Sequence, residues 1–382
     1  MQPREYNSNA LRTWIDVDTK VLEHNYNLFR EVLSKETTLC AVVKSNAYGH
    51  SLVDYAKQME GFGVDWLAVD TLVEGLRLRE EGITAPILVL GYTLPDMFTK
   101  AADNDISIMI SGFESLGHAL RYAGKKPLKI HIKCDTGMHR QGFLEGQIKK
   151  AVRDIRKAEN PKVVIEGVFT HFADAKNPSE PRRTQEQIEI FERVRQEFVD
   201  AGHSPIVHAA ATSTTVIFPE AHYDMVRVGI GLYGLWPSVA TKQYAQEWLP
   251  LQPVLSWKSV VSEVKAVPAG SQFGYGFTES VARDSKIAVI PIGYWHGYPR
   301  SLSSIGHMLI RGKRAKVLGT VSMDITVVDV TDIKGVKAGD EVMLIGKDGK
   351  DDITADELAG MTGTINYEIV TRINPLIKRF YV

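Results

Sequence analysis

The sequence predicts an α/β protein, an amino-terminal (β/α)8 barrel of the TIM type followed by a mostly β domain. Two observations carry that expectation. From residue 38 to about residue 234, short β-branched runs alternate with helical patterns; after Trp236-Pro237 the runs continue with no helical pattern between them. Strand candidates in the first part fall at 39–43, 66–69, 87–90, 106–110, 128–132, 163–169, 206–208 and 225–228. Eight strand-helix units in roughly 200 residues suit a closed barrel, and an open doubly wound sheet is the alternative that alternation alone leaves open. Helical periodicity separates the runs. Ile188, Phe191, Val194 and Phe198 recur on one face and stop at Gly202, and Leu72, Leu76 and Leu78 stop at Gly82.

The second part holds runs at 254–267, 286–292, 307–311, 315–318, 325–330 and 341–345. Trp14-Ile15-Asp16-Val17-Asp18 alternates with period two, as a strand that could join this later domain. The expected division is a barrel over residues 12–240 and a β domain over 241–382 that also takes a strand at about 1–17. No low-complexity segment and no further repeat interrupts the pattern.

Composition narrows the function. The 382 residues are 44% hydrophobic and 24% charged, as in an ordinary soluble globular protein. A formal net charge of -1 offers no basic field to hold a nucleic acid or an anionic membrane, so a small molecule is the better default ligand. The two cysteines, Cys40 and Cys134, lie inside apolar runs rather than in a spaced framework, which suits a reducing cytoplasm. Met1 to Asn7 carries no apolar core of signal-peptide type, and no run reaches the ~18 apolar residues of a membrane span. The expectation is a cytoplasmic protein that is neither secreted nor inserted.

Several strand ends carry chemistry. Lys44 ends the run Leu39-Cys40-Ala41-Val42-Val43 and opens onto Ser45-Asn46-Ala47-Tyr48-Gly49-His50. A lysine there faces the cleft where α/β proteins hold ligands, and its neutral amine can form a Schiff base; a solvated strand-end lysine is the plainer reading. Gly229-Ile230-Gly231-Leu232-Tyr233-Gly234 spells a dinucleotide fingerprint, but Leu235-Trp236-Pro237 interrupts where a helix should open. The dinucleotide reading is therefore rejected. The turn either offers backbone N–H groups to a single phosphate or is merely tight. Arg227, two residues earlier, either faces the same ligand or forms a buried salt bridge.

Lys129, His131, Lys133 and Asp135 share one face of an alternating strand, the lumen face if the barrel closes, and Arg140 follows on the next loop. His171 stands at another strand end with a pKa suited to proton transfer, although a lone histidine is more often structural. None of the eleven histidines forms a His-x-x-x-His pair or joins the cysteines at zinc spacing, so no catalytic metal is expected.

Taken in order, Ala41 to His50, Asp135-Thr136-Gly137-Met138-His139-Arg140, Met225 to Gly234, Phe273-Gly274-Tyr275-Gly276 and Val321-Ser322-Met323-Asp324 resemble the alanine racemase family over nearly the whole chain. The resemblance implies pyridoxal 5'-phosphate as cofactor, with Lys44 holding it as a Schiff base and acting as one base. It also implies that Tyr275 of a partner subunit is the opposite base, in a homodimer with shared active sites. Removing a proton from one face of the α-carbon and returning one to the other requires two bases. By the same resemblance His171 and Arg227 stand behind the tyrosine as cationic neighbours, and Arg227 donates to the pyridine nitrogen. Arg140 bonds the cofactor's phenolic oxygen, held by a carbamylated lysine that maps onto Lys133. Tyr48, Thr212, Gly229, Ile230 and Tyr367 hold the phosphate. Arg140, Met323, Asp324 and Tyr294 reach the substrate.

Two departures bear on substrate. His208-Ala209-Ala210-Ala211-Thr212 lacks the asparagine of the commoner family pattern, and Gly293-Tyr294-Trp295-His296-Gly297 replaces Gly-Tyr-Ala-Asp-Gly near the entrance corridor. The implied activity is interconversion of L- and D-alanine, supplying D-alanine for peptidoglycan. The alternatives are the same chemistry on serine or a larger amino acid, a non-catalytic pyridoxal-phosphate carrier and, remotely, a dinucleotide oxidoreductase.

Overall fold

The computed structural model describes residues 10–382. Met1 to Asn7, and the first nine residues of the expected amino-terminal strand, lie outside the described residues. Eight parallel strands pair in chain order: Thr38–Val42, Trp66–Val69, Ile87–Val89, Ile106–Ile110, Leu128–Asp135, Val163–Phe169, Ile206–Ala211 and Met225–Val228. The last pairs with the first, Met225 opposite Thr38 and Val228 opposite Ala41, so the sheet is a closed barrel. Closure removes the open-sheet alternative. Parallel strands covered on both faces read as continuous apolar runs, and all five residues of Ile106–Ile110 are buried.

The helices begin and end where local chemistry dictates. Thr71 and Glu74 form a capping box ahead of Leu72–Glu80, which buries Leu72, Leu76 and Leu78 and gives way to Gly82 at φ +88°. Arg182–Asp200 buries Phe191, Val194 and Phe198 and is followed by Gly202 at φ +82°. Both cysteines are buried and unpaired, and burial pushes the Cys40 thiol up to about 12.

The described chain divides into two compact units. The barrel unit takes residues 20–47 and 52–253; the β unit takes the chain up to Thr19, residues 48–51 and residues 254–382. In the β unit, Thr13–Val17 pairs antiparallel with Leu255–Val260 and parallel with Arg379–Tyr381. Residues 254–267, read as one run, form two strands, Leu255–Val260 and Glu263–Val267, which belong to different sheets. Two helices, Ala355–Thr362 and Asn366–Thr371, follow the last expected strand, in a stretch where no element was expected. Thr354 caps the first of them by accepting from the Glu357 N–H, a Thr-x-x-Glu signal present in the sequence.

The chain after the first barrel strand adopts an uncommon backbone. Ser45, Asn46, Ala47 and Tyr48 all lie at φ between 50° and 56°, a left-handed turn built without glycine. Each such residue costs roughly 1–2 kcal/mol. In the barrel unit the Glu74 carboxylate offsets this: one oxygen accepts from the N–H of Ser45 at 2.7 Å and of Asn46 at 3.4 Å, the other from Asp70 at 2.9 Å and Thr71 at 3.2 Å. The Asn46 side chain accepts from the Leu52 N–H at 3.0 Å. In the β unit a Cβ on Gly49 would lie 2.1 Å from the Val370 carbonyl, and the Gly49 carbonyl accepts from Arg379 Nε at 3.0 Å. Glu74→Ala should lower stability by about 0.5–1.5 kcal/mol, because water must then replace the carboxylate on these exposed and half-buried N–H groups around a strained turn. Urea unfolding tests this, and an unchanged midpoint would show that the turn holds without the carboxylate.

Candidate active site

The lumen of the barrel carries a buried cation. Arg227 is 3% exposed. Its guanidinium donates to the carbonyls of Thr170 at 2.8 Å and Ala209 at 2.9 Å, lies 2.7 Å from His208 Nδ1 and 3.5 Å from His171 Nδ1, and sits over the Phe169 ring at 5.2 Å. None of these partners is a carboxylate, so the salt-bridge reading of Arg227 does not describe its contacts. Burial draws the guanidinium down to about 10, which still leaves it charged at neutral pH.

Burial and that cation together shift its neighbours. Burial, and then the charges of Arg227, Arg140, Lys133 and Lys44, push the His171 imidazole down to about 3. His171 is thus neutral at pH 7, not the cation that the resemblance implied. Lys133 is buried beside the Phe169 ring, and burial with the charges of Arg140 and Arg227 brings its ammonium down to about 8. Arg140 is exposed on a loop whose backbone is held by Asp135, whose Oδ1 accepts from Gly137 at 3.0 Å and His139 at 2.9 Å. Lys44, at the mouth of the first strand, lies 3.3 Å from Asp70 Oδ1, with both side chains more than a third exposed.

After the eighth strand, the Thr212 hydroxyl accepts from the N–H of Gly229 at 3.3 Å and Gly231 at 3.4 Å. A Cβ on Gly231 would lie 2.5 Å from the Phe29 ring, so only glycine fits. The glycines form successive turns and the next helix starts at Val239, which leaves no helix terminus for a pyrophosphate. Ala211, at the start of Thr212–Ile217, offers no side-chain cap.

In the β unit, Tyr275 occupies the loop of the hairpin Gln272–Phe273 and Glu279–Ser280, between Gly274 at φ +76° and Gly276 at φ +77°, and is 78% exposed. The segment 293–297 bonds to the Met323 region through backbone: Tyr294 N–H to Ser322 O at 3.1 Å and Trp295 N–H to Met323 O at 3.0 Å. His296 Nδ1 accepts from the Gly293 N–H at 3.2 Å and lies 3.9 Å from the Asp324 carboxylate. Of the two departures, the His296 side chain approaches Asp324, whereas residue 295 meets Met323 through its backbone. The rings of Tyr48 and Tyr367 lie 6.1 Å apart.

Sequence reading missed Asp70, Glu74, Phe169 and Glu166. Glu166 did leave a signal, as an acid followed by a glycine inside the apolar run Val163–Phe169. Among the described residues, no group of three or more His, Cys, Asp or Glu side chains is arranged to hold a metal, and no helix is long and apolar enough to cross a membrane.

A strand-end lysine, a buried arginine and a glycine turn at the carboxyl-terminal ends of the strands define a (β/α)8 barrel with these polar groups gathered at one mouth, joined to a β unit of its own. The family profile "Alanine racemase, N-terminal domain" matches residues 17–237, and "Alanine racemase, C-terminal domain" matches residues 254–381. The alanine racemase of Symbiobacterium thermophilum is 41% identical over 97% of both chains, and that of Methanococcus maripaludis 40% identical over 97% of this chain and 98% of its own. The solved alanine racemase of Bacillus anthracis, with bound L-Ala-P, superposes at a TM-score of 0.90 with 36% identity, covering 97% of this chain and 95% of its own. That of the D-cycloserine producer Streptomyces lavendulae reaches 0.91 with 33% identity, covering 99% and 98%. The chain belongs to the alanine racemase family, and by that membership it is an enzyme, an isomerase of amino acids.

The buried imidazoles make acid stability testable. An unfolded histidine takes up a proton near 6.5, whereas native His171 stays neutral down to about 3, and His131 and His208 are lowered by burial as well. Between those values the unfolded chain binds more protons, so stability rises with pH and is lost as pH falls through that window. From pH 7 to about pH 5 the loss should be about 2 kcal/mol for His171, and His171→Phe should shrink it. Equal pH dependence of urea unfolding in the two proteins would rule out a neutral native His171.

Proposed function

We propose that this enzyme interconverts L- and D-alanine with pyridoxal 5'-phosphate, as a cytoplasmic homodimer with shared active sites that supplies D-alanine for peptidoglycan. The observation that carries the reading is Arg227, a buried donor-only cation without a carboxylate partner, in the same barrel as Lys44 and the Thr212 to Gly231 seat. A neutral acceptor such as a pyridine nitrogen suits that guanidinium, and an anion suits the backbone N–H groups that Thr212 now collects. The donor set therefore fits the cofactor. When bound, that group supplies an electron sink which loosens the α-hydrogen of an amino acid joined to it.

The residues then divide the work. Lys44 holds the cofactor covalently and moves a proton at its Nζ on one face of the α-carbon; its ion pair with Asp70 is exposed and cheap to break. Tyr275 of the partner subunit moves a proton at its Oη on the other face. Tyr48, Thr212, Gly229, Ile230 and Tyr367 hold the phosphate. Arg140 orients the ring oxygen, and Met323, Asp324 and Tyr294 receive the substrate. Lys133, buried beside Arg140 and Arg227 and brought down to about 8, has a larger neutral fraction near pH 7 than an ordinary lysine. Its neutral amine would add to carbon dioxide through a new N–C bond and release one proton to solvent, and the carbamate's negative charge would then hold Arg140. Tyr275, Phe277, Trp295 and Met323 are each more than half exposed on the β unit, apolar surface of the kind that a second subunit covers. The Bacillus anthracis relative carries bound L-Ala-P, which supports an alanine-sized ligand.

The second reading, racemisation of serine or a larger amino acid, draws on Trp295 and His296 at the Asp324 loop. A panel of single enantiomers followed by loss of optical rotation decides: alanine should turn over fastest, and slow alanine beside fast serine would reject the assignment. Lys44→Ala should abolish the cofactor's protein-bound absorbance together with activity. Tyr275→Phe should slow racemisation by about 10²-fold or more, the size of a lost general base, and unchanged rates in both directions would reject the two-base reading. Labelled carbon dioxide should give a carbamate resonance that disappears in Lys133→Ala; its absence in the wild type would reject the carbamate.

A further inference from the structure

A line of polar contacts runs along the barrel lumen behind Arg227, and nothing assigned so far uses it. Arginine donates and never accepts, so His208 Nδ1, 2.7 Å from the guanidinium, carries the lone pair. The proton of that neutral ring is then on Nε2, which faces His131 Nδ1 at 2.8 Å. By the same reasoning His131 carries its proton on Nε2 and donates it to Glu166 Oε2 at 3.1 Å. A carboxylate only accepts. A donor-only group at one end and an acceptor-only group at the other leave one consistent tautomer for each ring between them.

The surroundings are built to keep this line. Phe169 stacks on His208 with centroids 4.7 Å apart and planes 5° from parallel, and Trp66 sets its edge on His131 at 5.7 Å. Gly167 stands opposite His131 in the ladder, where a Cβ would come within 2.1 Å of Nδ1. Burial, and for His208 the Arg227 charge, lowers both imidazoles, which keeps them uncharged. Burial alone would raise the Glu166 carboxyl, but hydrogen bonds from His131 and Ser107 and the charge of Lys129 hold it below the ordinary range. Lys129 lies 3.6 Å from Glu166 and 2.7 Å from Asp105, at the amino-terminal end of the strands. Barrel lumens are ordinarily packed with Val, Ile and Leu, so two histidines and a glutamate here replace apolar packing at a cost.

We propose that Glu166 is the remote counter-ion and a positioning residue of Arg227, acting through His131 and His208, which pass its charge along the lumen as a one-way series of N–H donors. The guanidinium is thereby partly neutralised from behind and donates a weaker hydrogen bond toward the carboxyl-terminal mouth. This rests on the reading that Arg227 meets the ring nitrogen of pyridoxal phosphate there, where a weaker donor withdraws fewer electrons from the ring.

Histidine labelled with ¹⁵N tests the line in the wild-type protein before any cofactor is added. Both His131 and His208 should be in the Nε2–H form from pH 7 down to about pH 5, well below a free imidazole's midpoint. Either ring as Nδ1–H, or doubly protonated, overturns the proposal. Glu166→Gln keeps the shape and one acceptor but removes the charge. It should move the hydrogen-bonded imidazole proton resonances upfield, shift the absorbance maximum of the pyridoxal-phosphate-loaded enzyme and change kcat by about tenfold, as a one-unit change in a partner's proton affinity would, with KM nearly unchanged. Ser107→Ala removes one hydrogen bond to the same carboxylate and should give a smaller shift of the same sign. Wild-type resonances, absorbance and kcat in Glu166→Gln would reject the role. Failure to take up pyridoxal phosphate would refute the functional reading instead, while the histidine spectrum would still decide on the relay.

Discussion

A guanidinium removed from water inside the barrel is the constraint on which the site depends. Arg227 is compensated by two carbonyl dipoles, an imidazole lone pair and an aromatic face rather than by a touching carboxylate. A charge held this way projects its field through a low-dielectric lumen, and the surrounding groups respond to it. Burial, reinforced by that charge, keeps His171 and His208 neutral and moves Lys133 toward neutrality. The electrostatics of the barrel mouth thus follow from burial first and from the charge of Arg227 second, with Arg140 adding to it at Lys133.

The backbone around Lys44 carries a second cost. A left-handed turn of four non-glycine residues is tolerated because Glu74 collects the N–H groups of that turn together with those after the second strand. One carboxylate thereby ties the strand end bearing Lys44 to the loop bearing Asp70, its ion-pair partner. The chain then places Tyr48 to Ser51 in the β unit and returns to the barrel unit at Leu52. A strained turn held in this way fixes the backbone that follows Lys44.

Much of the fold was legible because the barrel is built from local patterns. Every β-branched run of the first part became a barrel strand, since a strand buried on both faces has no polar positions to obscure it. The alternation of Lys129, His131, Lys133 and Asp135 already marked a lumen face, and Lys44, Arg227 and the glycine turn stood out by position at strand ends. Residues 254–267 misled because the break at Val261 and Ser262 carries neither glycine nor proline, so nothing local marks where one sheet yields to another. The carboxyl-terminal helices were missed because they are short, with Thr354 their clearest signal.

By itself the sequence determined the strand and helix periods, the barrel, the family and the residue types at each strand end, because all of these follow from short-range patterning. Only the tertiary structure decided what those residues are chemically. That His171 is neutral, that Arg227 lacks a touching carboxylate, that Glu74 holds the turn after Lys44 and that Glu166 reaches Arg227 through two imidazoles all depend on partners far apart in the chain. Protonation and hydrogen-bond direction are set by burial and by facing groups, and neither exists until the barrel has closed.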